Sequence, residues 1–262
     1  MQTEKIVSHI VDWLKTYALQ AKVNGFVIGI SGGIDSAVTS TLCAETGLDV
    51  LCIEMPIHQH DSHVTRAQEH IALLKSRYNN VKDIRTDLTP LFETFKEEVS
   101  LEGNQHTVDL ALANTRARLR MTTLYYYAGL KGLLVAGTGN KVEDFGIGFF
   151  TKYGDGGVDL SPIADLVKTE VYELGKHLKV PQSILDAVPS DGLFGDTRSD
   201  EDQIGASYPE LEWAMKMQEE GKTANTFQGR DLEVFNIYSR LNTINQHKMN
   251  PIPICKIPKK LK

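Results

Sequence analysis

The chain has 262 residues, 41% of them apolar and 24% charged, the balance of a globular chain long enough to bury a sizeable core. Its net charge of −6 argues against general nucleic-acid binding, and no apolar run approaches the length of a membrane span. Cys43, Cys52 and Cys255 are widely spaced and odd in number, with no Cys-x-x-Cys pair, so a reducing cytoplasmic setting is expected. From the N-terminus, Ile6, Ile10, Trp13, Leu14 and Tyr17 fall at helical spacing and predict an opening helix rather than a signal peptide. An apolar run at 25–30 predicts a buried strand, and 36–45 a helix. A second strand, 49–55, stops at Pro56 and leads into a helix at about 62–78. A third strand, 81–86, runs into Asp87-Leu88-Thr89-Pro90, a cap with proline in the first turn of a short helix. A long helix at about 108–128 precedes the fourth strand, 133–136. Residues 137–161 are rich in glycine and lack a period, a loop long enough to expect function of it; Phe145, Phe149, Phe150 and Tyr153 argue against simple disorder. Helices resume at 168–178 and 231–246. The acidic, glycine-containing stretch 191–207 is expected to be mobile, as is the basic, proline-containing tail 250–262. The alternation predicts a single α/β domain: a doubly wound parallel sheet with helices on both faces.

The junction of the first strand and helix carries the most chemistry. Gly29, Ile30, Ser31, Gly32, Gly33, Ile34, Asp35 and Ser36 form a glycine-rich turn that opens a helix, where unpaired N–H groups and the helix dipole favour an anion. Ser31 and Ser36 add hydroxyl donors. Asp35 would repel phosphate, and makes sense where Mg²⁺ bridges it to the phosphates. The loop lacks the Gly-x-x-x-x-Gly-Lys-[Ser/Thr] of a Walker A site. Glu143 follows the fourth strand as Asp35 follows the first, and in a doubly wound sheet such ends can face each other across a nucleotide crevice. His58, His60, Asp61 and His63 could supply metal ligands, but a polar loop capping the next helix is the blander reading. Tyr125, Tyr126 and Tyr127 are consecutive and cannot share a helix face, so some pack in the core and some are free to meet a second subunit.

The run Ser31-Gly32-Gly33-Ile34-Asp35-Ser36 resembles the Ser-Gly-Gly-x-Asp-Ser signature of the ATP pyrophosphatases, of the adenine nucleotide alpha hydrolase-like type. Those enzymes split ATP between its α and β phosphates, transfer AMP and hold the departing pyrophosphate in this loop. A narrower resemblance, to the NAD synthetases, is carried by the run from Gly148 to Gly157 (Gly-Phe-Phe-Thr-Lys-Tyr-Gly-Asp-Gly-Gly). It extends to Asn114-Thr115-Arg116-Ala117-Arg118-Leu119-Arg120-Met121, Asp159-Leu160-Ser161-Pro162, Pro189-Ser190-Asp191-Gly192 and His247-Lys248. It implies that the loop 29–36 holds the ATP phosphates, with Thr138, Lys168 and Ser190 as further ATP contacts and Asp35 and Glu143 as Mg²⁺ ligands. It implies that Arg118, Lys152, Asp159, His247 and Lys248 contact the dinucleotide substrate, and that Asp155 lies near the reacting carboxylate and ammonia. Lys168 and Asp155 are the expected catalytic pair; a plain Asx turn is the structural alternative for Asp155.

Two departures stand out. Many members read Gly-Thr-Asp-His or Gly-Thr-Ser-Asn where this chain has Gly137-Thr138-Gly139-Asn140, and the spacing from Glu143 to Lys152 is one residue longer than in some, which leaves the register of 144–149 open. The resemblance implies a cytoplasmic ligase that joins ammonia to deamido-NAD with ATP, and a homodimer without nucleic-acid or membrane partners. The synthetase pattern begins near the first residue, with no room ahead of it for a glutamine amidase domain, so ammonia is the expected nitrogen donor. The alternatives are another ATP pyrophosphatase, GMP synthetase-like or tRNA-thiolating, or a nucleotide-binding regulatory protein that does not turn over.

Overall fold

A computed structural model describes residues 1–59, 61–189 and 199–262. Strands β1 (Gly25–Gly29), β2 (Asp49–Glu54), β3 (Val81–Arg85) and β4 (Leu133–Val135) pair in parallel in the order β3-β2-β1-β4. Gly25 stands opposite Asp49 on one side and Leu133 on the other, so β1 is central and buried on both faces. Its neighbours are approached by helices: α1 (Thr3–Ala21) precedes β1, while α2 (Ile34–Glu45) and α3 (Asp61–Arg77) carry the chain outward to β2 and β3. After β3 the chain returns through α4 (Thr89–Glu98) and α5 (Gln105–Lys131) to enter β4 on the other side of β1.

Alternation along the strands divides the core. Phe26, Ile28, Val50 and Cys52 face α1, α2 and α3 in one layer. Val27, Leu51, Ile53 and Val135 face α4 and α5 in the other, with Phe92 and Ala128. Both faces are covered, the doubly wound arrangement expected from the sequence. Cys43 and Cys52 are buried members of the first layer. Among the described residues no helix is long and apolar enough to cross a membrane.

Beyond β4 the chain is less regular and builds the site. Within 137–161, which showed no period, residues Lys141–Ile147 form a π-helix between Asn140 and Gly148. Then come α6 (Lys168–His177), α7 (Gln182–Leu185), α8 (Asp200–Ile204), α9 (Tyr208–Glu219) and α10 (Gly229–Met249). Val142 and Ile147 of the π-helix pack with Leu211, Ala214, Phe235 and Tyr238 in a third apolar cluster.

Part of the stretch expected to be mobile is regular. Residues 191–198 lie outside the described residues, but 199–207 are not a loose linker. Ser199 Oγ accepts the Asp202 N–H at 3.0 Å and Asp202 Oδ2 accepts the Ser199 N–H at 3.1 Å, a reciprocal cap on α8. The helix α9 was not anticipated from periodicity. Its start is written in Ser207-Tyr208-Pro209-Glu210: Glu210 Oε2 accepts the Ser207 N–H at 2.8 Å, and proline occupies the first turn.

Candidate active site

The crevice opens where β1 and β4, neighbours reached from opposite directions, present their carboxyl ends. All eight residues of the loop 29–36 line it, with Thr138, Glu143, Asp155 and Lys168. Gly32 adopts a φ of +80°, and a Cβ there would stand 2.5 Å from the His63 carbonyl oxygen, so only glycine lets α3 close onto the loop. Ser31 Oγ accepts the Gly33 N–H at 3.2 Å, and Ser36 Oγ accepts the Ser31 N–H at 3.3 Å. The two serines thereby fix the shape of the loop.

Asp35 and Glu143 converge on one cation. Lys168 Nζ, on a residue only 3% exposed at the start of α6, donates to Asp35 Oδ2 at 2.6 Å and Glu143 Oε1 at 2.9 Å. Burial alone would lower the Lys168 pKa, but the two carboxylates raise it well above its ordinary value. Burial lifts Asp35 above the usual carboxylate range, against the pull of Lys168. Burial pushes Glu143 the same way, but Lys168, the Tyr208 hydroxyl and Asn140 outweigh it and hold Glu143 below its ordinary value. Asn140, fully buried, spans the pair: its Nδ2 donates to Asp35 Oδ1 at 3.2 Å and its Oδ1 accepts the Glu143 N–H at 3.2 Å. The Tyr208 hydroxyl, from the first turn of α9, donates to Glu143, and its ring lies 4.7 Å from Lys168 Nζ.

Two carboxylates already set around one cation fit a hard divalent ion whose other ligands are phosphate oxygens and water. Among the described residues no group of three or more His, Cys, Asp or Glu side chains is arranged to hold a metal by itself. His58 pairs with Glu93 at 2.6 Å and His63 lines the crevice, while His60 lies outside the described residues.

Further along, Asp155 sits in a turn pinned to α5. Thr151 Oγ1 donates to Asn114 Oδ1 at 2.6 Å, and a Cβ on Gly154 would stand 2.8 Å from the Ala117 methyl, which explains the small residue in the Asn114…Ala117 motif. Asp155 Oδ1 accepts the Thr151 N–H at 2.9 Å, a bond back to the fourth residue before it rather than the forward bond of an Asx turn, and the residue also lines the crevice. Solvent reaches it from the crevice, yet the protein crowding it lifts its carboxyl to about 6. Asp144 lies between: a Cβ at Gly139 would stand 1.9 Å from Asp144 Oδ2, so the space of the side chain missing at 139 holds the Asp144 carboxylate. Burial, then the charges of Glu143, Asp155 and Asp35, raise Asp144 well above its ordinary value.

The residues expected to contact a dinucleotide lie outside the crevice lining. Lys152 donates to the His247 carbonyl, and Arg118 Nη2 approaches the Lys152 carbonyl at 3.4 Å. Lys248 Nζ donates to the carbonyls of Gly148 at 2.7 Å and Phe150 at 2.9 Å. Asp159 accepts the Val135 N–H at 2.8 Å and the Tyr125 hydroxyl at 3.0 Å, tying β4 to α5. None of these five is among the residues that line the crevice. Ser190 lies outside the described residues. Asn140, Tyr208 and Arg66 escaped the sequence reading. Asn140 could have been found as a cap three residues before Glu143. Tyr208 and Arg66 come from helices remote in sequence and had no local signal.

Comparison with known proteins adds a family to this geometry. A family model described as NAD synthase matches residues 6–251. The NH(3)-dependent NAD(+) synthetase of Archaeoglobus fulgidus is 36% identical over 98% of both chains, and that of Methanosarcina acetivorans 35% identical over 97% of this chain and 98% of its own. Among solved structures, the NMN synthetase from Francisella tularensis matches with a TM-score of 0.83 and 32% identity over 99% of both chains. The NH3-dependent NAD synthetase from Campylobacter jejuni matches with a TM-score of 0.78 and 26% identity, over 98% of this chain and 100% of that one.

Proposed function

The chain belongs to the NAD synthase family, and from that premise we propose how its residues share the work of amidation. It is a ligase that converts deamido-NAD, ATP and ammonia into NAD, AMP and pyrophosphate. The observation that carries the reading is the meeting of Asp35 and Glu143, from the ends of β1 and β4, on Lys168 beside the phosphate loop.

The chemistry needs those groups. A carboxylate is a poor acyl donor, so its oxygen first attacks the α phosphorus of ATP; pyrophosphate leaves, and a mixed anhydride with AMP forms. Ammonia then adds to the carbonyl carbon, loses a proton, and AMP departs. The loop amides hold the phosphates, and Lys168 adds positive charge beside the phosphorus under attack. Bound with ATP, Mg²⁺ would neutralise phosphate charge, held by Asp35 and Glu143. Asp155 would attract ammonium and take the proton released as nitrogen attacks. Arg118, Lys152, Asp159, His247 and Lys248 would serve the dinucleotide, and Thr138 and Ser190 the ATP. We read the enzyme as a homodimer, supported by the exposed Leu110, Tyr126 and Leu130 on α5.

A second reading concerns substrate length. The Francisella neighbour is named an NMN synthetase, and the five dinucleotide residues of this chain lie outside the phosphate crevice. The neighbour's name favours deamido-NMN as a competing substrate. One assay tests both readings: ATP, Mg²⁺ and ammonium with either deamido-NAD or deamido-NMN, the amide product being measured. Amide and AMP in equal amounts from deamido-NAD are expected. A kcat/KM at least tenfold higher on deamido-NMN would move the enzyme to the mononucleotide, and no amide from either acid would sink the assignment.

A further inference from the structure

The crevice is rich in acids for a polyphosphate site. Glu54, Asp35, Glu143, Asp144, Asp155 and Asp200 all line it. Among the described residues the arginines and lysines on its wall are Arg66, Arg120 and Lys168. The charge of Lys168 is answered by two carboxylates. Arg120 spends two of its nitrogens on the loop after β2, donating from Nε to the Met55 carbonyl at 3.1 Å and from Nη2 to Gln59 Oε1 at 2.9 Å. Arg66 differs. Its Nε donates to the Gly32 carbonyl at 3.1 Å, which anchors the guanidinium beside the centre of the phosphate loop. No ion pair and no other hydrogen bond engages it among the described residues, and the close approach of α3 to Gly32 sets it on the crevice wall.

We propose that Arg66 is a phosphate-binding residue that grips the pyrophosphate half of ATP from the α3 side of the loop. This rests on the reading of the loop as an ATP site. The Ser36 hydroxyl donates to the Gly33 carbonyl at 3.0 Å, and neither serine carries a charge to balance an incoming tetra-anion. Asp35, inside the loop, opposes it. A guanidinium keeps its charge when half-buried, and its planar fork can meet two phosphate oxygens at once. Held by Nε alone, Arg66 keeps both Nη groups for that purpose. Lys168 and the Asp35–Glu143 pair handle the phosphorus under attack, and Arg66 handles the group that leaves.

The test separates the pyrophosphate from the adenosine monophosphate half of ATP. ATP, pyrophosphate and AMP, each with Mg²⁺, are titrated calorimetrically into wild type, Arg66→Gln and Arg66→Lys, with thermal unfolding to confirm that each variant is folded. Loss of a charge-assisted fork should weaken ATP and pyrophosphate by at least about tenfold in Arg66→Gln. AMP binding should stay within about twofold, and Arg66→Lys should fall between. Unchanged ATP binding in Arg66→Gln, or equal weakening of ATP and AMP as expected of a residue that merely props the loop, would overturn the proposal. A wild-type protein that binds neither ATP nor pyrophosphate would defeat the reading of the loop itself.

Discussion

Asp155 is a structural tie for which we also propose a reactive role. Its Oδ1 closes the turn on the Thr151 N–H, and the residue lines the crevice. Its carboxyl is raised from 3.8 to about 6, so the folded chain holds that proton more tightly than the unfolded chain does. This group therefore favours folding below about 4 and loses that contribution as pH rises through 6. Activity runs the other way, because only the ionised form attracts ammonium and accepts a proton. Amidation measured from preformed adenylate should fall on acidification with an inflection near 6. Asp155→Asn should still release pyrophosphate in a single turnover, then amidate slowly and without that acid limb. Loss of pyrophosphate release, or a wild-type amidation rate, would remove Asp155 from the ammonia step.

At the scale of elements, the π-helix is held open by α10. Asn242, Asn245 and Lys248 recur every three residues along one face of α10. Asn242 Nδ2 donates to the Gly146 carbonyl at 2.7 Å, Asn245 Nδ2 to Ile147 at 2.8 Å, and Lys248 Nζ to Gly148 and Phe150. These are the carbonyls that a helix end leaves without intrahelical partners, so α10 supplies from outside what the π-helix lacks. Glu143 lies at one end of this strap and the Asp155 turn at the other. Removing a donor leaves a half-buried carbonyl unpaired, at about 1–3 kcal/mol. Asn245→Ala should therefore lower the midpoint of thermal unfolding by several degrees and reduce kcat more than it raises KM for ATP. A stable variant with wild-type kcat would show that the strap is dispensable.

For the whole molecule, the unpartnered surface bears on assembly. Helix α5 exposes Tyr126 at 64% and Leu130 at 59%, while Tyr127 packs into the layer with Val27 and Val135 and Tyr125 binds Asp159. That sorting of three consecutive tyrosines leaves an apolar strip on the outside of the helix that carries Asn114, Ala117 and Arg118. A homodimer through this strip would place two sites close together. Sedimentation should give twice the 29.1 kDa chain mass, and Tyr126→Glu with Leu130→Glu should return it to the single-chain mass. A wild-type protein that sediments as one chain at micromolar concentration would count against the dimer.

The sequence alone determined the strand–loop–helix unit, the four parallel strands and the family, because each rests on local pattern: apolar runs, a capped helix start, a glycine turn with Ser and Asp at set positions. It also named Asp35, Glu143 and Lys168, but on separate grounds. Only the tertiary structure decided that they meet, since their contact joins residues 35, 143 and 168 through hydrogen bonds that no local pattern encodes. It decided as well that Tyr208 and Asn140 complete that cluster, that Arg66 faces the loop, and that Lys141–Ile147 form a π-helix rather than a looser loop. The helix α9 was missed because its apolar positions serve a cluster built from distant segments and leave a weak period of their own, although its cap was legible in Ser207 and Glu210. Local pattern specifies which backbone forms; the burial of charges against one another specifies the site, and burial is a property of the whole fold.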